Sequence, residues 1–323
     1  MKFIINPIRC LKAAALLTLV LLVSCTSSQE ASPESSAATA AADDYGVLVM
    51  AHGGSAEWNR SVVESLGGLQ SQYPVEIAFG MADAGSLEAA VRRLEAQGVA
   101  HAGVVRLFVS GESWYERTAQ ILGMQEGAPA KPAEPAHDAG HTGMAMGFWK
   151  IESDIGFHLS AEGLAEAEEM DPVLLSRVRG LSVSPADEVV AVIAHGPGDD
   201  DENARWIAQI GERTELMQRE LGVRDVRVFT LREDWEEKRE GAEALIRDYM
   251  QAAANEGLRP IVVPFRVQGF GPYADVLSGL TYHADHLGLT PHESVTQWIR
   301  NQADALREEA RAHRYQLAAS ATP

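Results

Sequence analysis

Two matching stretches decide the fold of this sequence: GVLVMAHG at residues 46–53 and EVVAVIAHG at residues 188–196. Each is an apolar run rich in β-branched residues that ends in Ala-His-Gly. A continuous run of this kind, without polar alternation, is typical of a strand in a parallel sheet that is covered on both faces. The recurrence of the run in both halves of the chain indicates an internal duplication.

The segments after each run follow one order, in which helical and strand patterns alternate. This order predicts an α/β fold of two duplicated, doubly wound parallel-sheet lobes with a cleft between them, spanning residues 45–185 and 186–323. Helices are predicted at residues 59–71, 86–97, 171–179, 204–221, 241–255 and 292–309, and strands at 75–79, 103–109, 226–231 and 260–267.

The first residues have the order of an export signal, with Lys2, Arg9 and Lys12 before a short apolar run at 13–23. The run ends in Leu-Val-Ser-Cys25, which resembles the lipobox of bacterial lipoproteins. We therefore predict a cleavable signal at residues 1–24, a lipid on Cys25, and a flexible Ser/Ala-rich tether at residues 25–44. Because Thr rather than Asp follows Cys25, the expected location is the periplasmic side of the outer membrane.

Composition limits the possible partners. The chain has 46 acidic and 27 basic residues, a formal charge of −19. Such a charge argues against nucleic acid and suits cations or cationic complexes, although it also serves plain solubility. Membrane contact is expected only through the lipid on Cys25. With Cys10 in the signal, no free cysteine remains for a disulfide or a thiolate metal site.

His52 and His195 end the two matching runs. Open parallel sheets bind ligands at the carboxyl ends of their strands, so both histidines are candidate site residues. Gly53 and Gly196 would let a large ligand approach the backbone. A neutral imidazole binds Co, Ni, Fe or Zn, or accepts a proton. A structural hydrogen bond in a strand-to-helix turn is the alternative interpretation.

Further motifs carry a resemblance to a known family, and their order along the chain matters more than any one of them. They are Val47–Gly53, Ser86-Leu87-Glu88, Arg106-Leu107-Phe108, Ala194-His195-Gly196, Val263-Pro264-Phe265 and Gly288–His292. Together they cover most of the folded chain and resemble the class II tetrapyrrole chelatases, the sirohydrochlorin cobaltochelatase and ferrochelatase group of the CbiX and SirB type.

The resemblance implies a lyase that inserts a divalent metal into a tetrapyrrole held between the lobes, without a redox cofactor. His52 or His195 would bind the metal and take up pyrrole protons. The family sets a second histidine after its third strand, where this sequence has SGESWYE at 110–116 and QGFGPY at 268–273. Related ferrochelatases pair a histidine with a glutamate, so Glu112 and Glu116 are candidate replacements, or else solvated surface groups.

Three further sets of residues are candidates whose plainer interpretations stay open. Each set could serve the ligand. The plainer interpretations are an exposed polar turn for the first set, a disordered excursion at 127–147 for the second, and core packing for the third. The sets are His283, His286 and His292 with Asp285 as a metal cluster; His137, His141, Met144 and Met146 as a metal-binding loop; and Trp114, Tyr115, Phe270 and Tyr273 as aromatic residues that stack on the macrocycle.

The sequence therefore predicts a chelatase-like protein that inserts Co, Fe or Ni into a tetrapyrrole such as sirohydrochlorin. The alternative is a non-catalytic periplasmic lipoprotein that carries or stores haem, cobalamin precursors or metal. A third interpretation is an envelope scaffold that uses its acidic surface and has no such site. Cobalamin-related biosynthesis belongs to the first interpretation.

Overall fold

The computed structural model describes residues 44–133 and 146–320. The export signal, Cys25 and most of the tether lie outside these residues, as do His137, His141 and Met144. The expected signal, lipid attachment, tether and metal-binding loop stay predictions.

Two fully buried strands organise the chain, because their sequences have no polar side to turn toward water. They are β1 (Tyr45–Ala51) and β5 (Glu188–Ala194), and every residue of both is buried. After β1, the first half contains α1 (Ala56–Ser65), β2 (Val75–Phe79), α2 (Ala84–Ala96), β3 (His101–Leu107), α3 (Tyr115–Ile121), β4 (Gly156–Leu159) and α4 (Met170–Leu181). In the second half the elements are α5 (Asp200–Leu221), β6 (Asp225–Thr230), α6 (Glu236–Asn255), β7 (Arg259–Phe265), α7 (Tyr273–Val276) and α8 (Glu293–Ser320).

Each half contains one all-parallel sheet. The first has the order β2-β1-β3-β4 and the second the order β6-β5-β7. In both sheets the strand that ends in Ala-His-Gly is central, paired on both sides in register with its neighbours. The α/β class and the two duplicated parallel sheets are therefore confirmed.

Helices cover both faces of each sheet, and the two inner faces share one core. The outer layers are α2 with α3 on the first sheet and α6 with α7 on the second. Apolar side chains of α1, α4, α5 and α8 fill the space between the sheets in a single cluster. Trp298 of α8 is fully buried there, and its indole N–H donates to Glu162 at 3.0 Å.

The last helix of each half packs on the other half. Helix α4 lies against α5 and β7, while α8 lies against β3 and β4. The Tyr45 hydroxyl at the start of β1 donates to the Ala303 carbonyl of α8 at 2.7 Å. This exchange of helices ties the two sheets together.

Several boundaries differ from the sequence prediction. The helix expected at 59–71 ends at Ser65, because Gly67 and Gly68 adopt φ of 49° and 82°, which a continuing α-helix does not allow. Strand β4 and the short helices α3 and α7 were not predicted. Helix α8 is longer than the predicted 292–309. Within the described residues no helix has the length and apolar character needed to cross a membrane.

Glu188 begins β5 as a fully buried carboxylate. Burial alone would raise its pKa, but the Ser182 hydroxyl, the backbone N–H groups of Val183 and Ser184, and Arg259 outweigh burial and lower it. A carboxyl whose pKa is lower in the folded state stabilises the fold at neutral pH and loses that contribution as the pH falls through its folded pKa.

Replacing Glu188 with glutamine should therefore lower the free energy of unfolding at pH 7 by about 2 kcal/mol, the scale of hydrogen bonds to a charged group. The difference from the unsubstituted protein should shrink below the ordinary glutamate pKa of about 4.3. Urea unfolding at pH 7 and pH 3.5 measures both quantities. A difference that is the same at both pH values would contradict this role for the charge.

Candidate active site

The carboxyl ends of the two sheets open into one cleft between the halves, with a volume of about 760 Å³. His52 and His195, which follow β1 and β5, both line it. Both histidines therefore lie at the carboxyl ends of their strands, on a cleft within the usual size range of small-molecule sites.

The two histidines have the same local geometry. His52 Nδ1 lies 2.7 Å from the Gly53 carbonyl oxygen, and His195 Nδ1 lies 2.8 Å from that of Gly196. Because a carbonyl oxygen only accepts, each Nδ1 carries a proton and donates it. In the neutral ring Nε2 then keeps a free lone pair, the form that binds a metal or accepts a proton.

Glycine is needed after each histidine. Gly53 and Gly196 have φ of 81° and 78°, a region that other residues rarely adopt. A Cβ on Gly196 would also lie 2.6 Å from Cβ of Thr230. The two glycines therefore shape the turns that fix the imidazoles, in addition to leaving the backbone open.

The two halves differ in what faces Nε2. His195 Nε2 lies 3.1 Å from Asp234 Oδ2, in the loop after β6, a contact that is an ion pair when the ring carries both protons. The His195 ring also meets Trp235 edge to face, at 6.0 Å between centroids. The His52 ring instead packs tilted against Trp58, with 6.2 Å between the ring centroids, and it makes no ion pair with a carboxylate of the described residues. The second half thus combines a histidine and a carboxylate at one point.

Tryptophans form much of the wall. Four of the six in the chain line the cleft: Trp58, Trp114, Trp206 and Trp235. Trp114 has φ of 61°, a left-handed conformation that costs a non-glycine residue about 1 kcal/mol or more. Large indole faces around a cleft of this size suit a flat conjugated ligand.

Arg106 of β3 holds the loop that carries Trp114. The guanidinium is 1% exposed and donates to the carbonyls of Ser160, Ser113 and Gly111 at 2.8, 2.7 and 2.6 Å. Burial lowers its pKa to about 10, so it stays charged at neutral pH. The arginine fixes the turn after β3 by satisfying backbone oxygens rather than by reaching the cleft.

Carboxylates surround the rest of the cleft. Asp199 caps α5 by accepting from the Glu202 N–H at 2.8 Å, and both residues line the cavity. Burial, and next the charge of Glu112, raise the pKa of Glu202. Glu112 also lines the cleft. Arg205 of the other half donates two hydrogen bonds, of 2.8 and 2.7 Å, to its carboxylate and lowers the pKa of Glu112. Glu112 therefore joins the two halves at the cleft.

The other residues predicted from the turns after the third strands lie outside the cleft lining. Glu116 is exposed on α3 and accepts from Gln120, and Tyr115 packs under the Arg106 guanidinium. Phe270 and Tyr273, at 7% and 0% exposure, belong to the outer core of the second half. For these two aromatic residues the structure supports core packing over ligand contact.

The histidines near the C-terminus do not form a cluster that could hold a metal. His292 Nδ1 accepts the Ser294 N–H at 3.1 Å, so Nε2 carries the proton and donates to the Ser176 hydroxyl at 3.2 Å. Nδ1 thus caps the start of α8, and Nε2 binds α4, so both ring nitrogens are occupied. His286 packs on Phe270 at 4.4 Å, and the backbone of His283 bridges to Ile261 beside β7. Over residues 44–133 and 146–320, no group of three or more His, Cys, Asp or Glu side chains is arranged to hold a metal.

Sequence reasoning missed Asp234, Glu202 and the tryptophans Trp58, Trp206 and Trp235. The predicted residues that do line the cleft, among them His52, Glu112 and His195, follow the first and third strands of the two halves. Asp234 and Trp235 follow the second strand, β6, whose carboxyl end lies at the same edge of the sheet. An Asp-Trp pair directly after a predicted strand was the available signal.

The fold of two parallel sheets covered by helices is similar to that of solved chelatase structures. SirB from Bacillus subtilis with Fe³⁺ matches with a TM-score of 0.54 and 14% identity, over 83% of this chain and 97% of SirB. The sirohydrochlorin chelatase SirB from Bacillus subtilis subspecies spizizenii, in complex with cobalt, matches with a TM-score of 0.52, 14% identity and the same coverages.

A multi-domain protein from Deinococcus radiodurans with structural similarity to chelatases matches with a TM-score of 0.51 and 16% identity. The match covers 80% of this chain and 54% of that one. No family model and no curated protein matches the sequence. At these identities the likeness is one of fold.

Proposed function

We propose that this protein inserts a divalent metal ion into a tetrapyrrole, with His195 and Asp234 holding the ion in the cleft. The observation that supports this best is the 3.1 Å contact between His195 Nε2 and Asp234 Oδ2 in a cavity walled by tryptophans. Two ligands about 2.1 Å from one ion and at right angles to each other are about 3.0 Å apart. The spacing fits neighbouring ligands of a single ion, and it equally fits an ion pair between a protonated imidazole and the carboxylate.

A site of two protein ligands suits an ion that must be passed on. A structural metal site uses four protein ligands and keeps its ion, whereas a substrate ion needs open positions for the incoming pyrrole nitrogens. His195 nitrogen with an Asp234 oxygen is a borderline donor set, suited to Co²⁺, Ni²⁺, Fe²⁺ or Zn²⁺. The scarcity of ligands is thus compatible with turnover.

Insertion releases two protons, and the cleft contains groups that can take them. The macrocycle gives up two N–H protons as the metal forms bonds to its four nitrogens, so charge and atoms balance without an oxidant. His52, across the cleft from the metal pair, has an Nε2 lone pair in its neutral form, and Glu202 has a raised pKa. These groups are the proposed proton acceptors, because both line the cleft and each has an atom that can take up a proton.

The experiment is metal insertion by the purified protein, followed by the absorption change of free-base tetrapyrroles with Co²⁺, Ni²⁺ or Fe²⁺. The panel should include sirohydrochlorin and a porphyrin whose carboxyl arms are neutral esters. Insertion faster than in buffer, with a rate that saturates in macrocycle, is the expected result. If the protein neither inserts metal into any macrocycle of the panel nor binds one, the proposal is overturned.

A second function is a non-catalytic carrier of a tetrapyrrole or of its metal complex. The specific observation that favours it is the combination of four cleft tryptophans with the lack of a three-ligand metal group in the described residues. Tight binding of a macrocycle without insertion would select the carrier over the enzyme. In either case we propose that the protein works outside the cytoplasm, held to the outer membrane by the lipid on Cys25.

A further inference from the structure

The charged groups of the cleft are mostly acidic. Four carboxylates line it, and the single guanidinium that lines it within the described residues belongs to Arg266. That guanidinium is paired with Glu233. A ligand that enters the cleft therefore meets an excess of negative charge.

The cations next to the cleft are also engaged. Arg205 is held by Glu112, while Arg232 and Lys238 both bind Asp200, at 2.8 and 2.7 Å. Arg232 and Lys238 additionally donate to the Gly198 carbonyl. A carboxylate of a ligand could pair with one of these four described cations, Arg205, Arg232, Lys238 and Arg266, only by breaking an existing bond.

The N-terminus of α5 also favours a ligand that is not an anion. A free helix N-terminus attracts anions through its unpaired N–H groups. Here residues 199–202 are four consecutive acids, and Asp199 caps the Glu202 N–H. The acidic first turn cancels the anion-binding tendency where the helix meets the cleft.

The indole walls add an attraction for positive charge. A cation over the face of a tryptophan is stabilised by the ring quadrupole, most strongly where water is excluded. Trp206 is 6% exposed and lines the cavity beside Glu202. Carboxylates and tryptophan side chains around the cleft together favour ligands that are both aromatic and cationic.

We infer that the cleft selects a flat conjugated ligand of neutral or positive charge and rejects polycarboxylate macrocycles. The inference rests on the proposed function only in taking a tetrapyrrole as the occupant. It narrows the substrate class to macrocycles whose side arms end in amides, esters or cationic groups, or whose metal complex has a net positive charge. Attraction to the tryptophan faces supplies affinity, and the carboxylates supply the charge preference.

The test uses one free-base porphyrin in three forms, with two side arms that end in carboxylate, neutral amide or trimethylammonium. Binding to the full chain is measured by quenching of tryptophan fluorescence and by the shift of the porphyrin absorption band. The trimethylammonium form should bind at least about tenfold more tightly than the carboxylate form, with the amide between them. Raising the salt concentration should shrink this preference, because salt screens the charges.

A pair of charge-neutralising variants identifies the source of the preference. Asp199→Asn keeps a capping side chain while it removes the charge. Combined with Glu202→Gln, it should reduce the cation preference severalfold. The matched control is Asp201→Asn with Glu212→Gln, which removes two exposed charges of the same helix that do not line the cleft. The control should keep the preference of the unsubstituted protein.

The outcomes separate this inference from the proposed function. Equal binding of the three forms, or tightest binding of the carboxylate form, would overturn the charge preference while leaving tetrapyrrole binding in place. A preference that is unchanged in the cleft double variant would also overturn it. Failure of all three forms to bind would remove both the inference and the proposed function.

Discussion

His195→Ala is expected to reduce metal insertion by at least about 100-fold, since second-shell changes alone cost 10- to 100-fold and this change removes a direct ligand. The fold should survive, because the His195 ring is part-exposed at the cleft and its contacts are to Asp234, Gly196 and Trp235. Initial rates of Co²⁺ insertion measure the effect, and the thermal unfolding midpoint checks the fold.

His52→Ala is the informative comparison for His195. If the second half holds the metal, removal of His52 should slow insertion less, because it takes away a proton acceptor and leaves the His195–Asp234 pair in place. His313→Ala changes an exposed histidine of α8 outside the cleft lining and should have the unsubstituted rate. A larger loss in His52→Ala than in His195→Ala would assign the metal to the first half instead.

Arg106→Leu is expected to lower the free energy of unfolding by about 3 kcal/mol or more, because it leaves buried carbonyl groups without a donor. The guanidinium satisfies the oxygens of residues 111 and 113 in the turn after β3 and of residue 160 directly after β4. Arg106→Lys should recover only part of the loss, since an ammonium lacks the planar fork that reaches all three.

Urea unfolding measures the change in the free energy of unfolding of Arg106→Leu, and Trp114 emission reports the release of the loop. Release of the loop should shift the tryptophan emission, because Trp114 is held in a left-handed conformation at its end. Arg92→Leu is the matched control, an arginine 48% exposed on α2, and should change stability by less than about 0.5 kcal/mol. Equal stability of Arg106→Leu and Arg92→Leu would contradict the assigned role.

The central strands and the α/β class were readable from the sequence because a buried parallel strand must be apolar on both faces. The four-residue β4 was not readable, because its run is too short to show a pattern. The exchange of α4 and α8 between the halves was not readable either. An amphipathic helix buries the same apolar stripe whichever sheet it packs on, so its sequence does not identify the partner sheet.

The site was readable in part for a similar reason. His52 and His195 follow from the rule that ligands bind at the carboxyl ends of parallel strands. Whether an aromatic residue after a strand faces the cleft or the core depends on the turn geometry, as Trp114 and Phe270 show from equivalent loops. The carboxylate partner, Asp234, comes from a different strand than its histidine, and only the folded sheet brings the two together.

The most direct test of the central claim is a crystal structure of the protein soaked with Co²⁺, with anomalous scattering recorded at the cobalt absorption edge. The account predicts one principal peak in the cleft, about 2.1 Å from His195 Nε2 and from Asp234. A principal peak elsewhere on the protein, or a cleft that stays empty at millimolar Co²⁺, would contradict it.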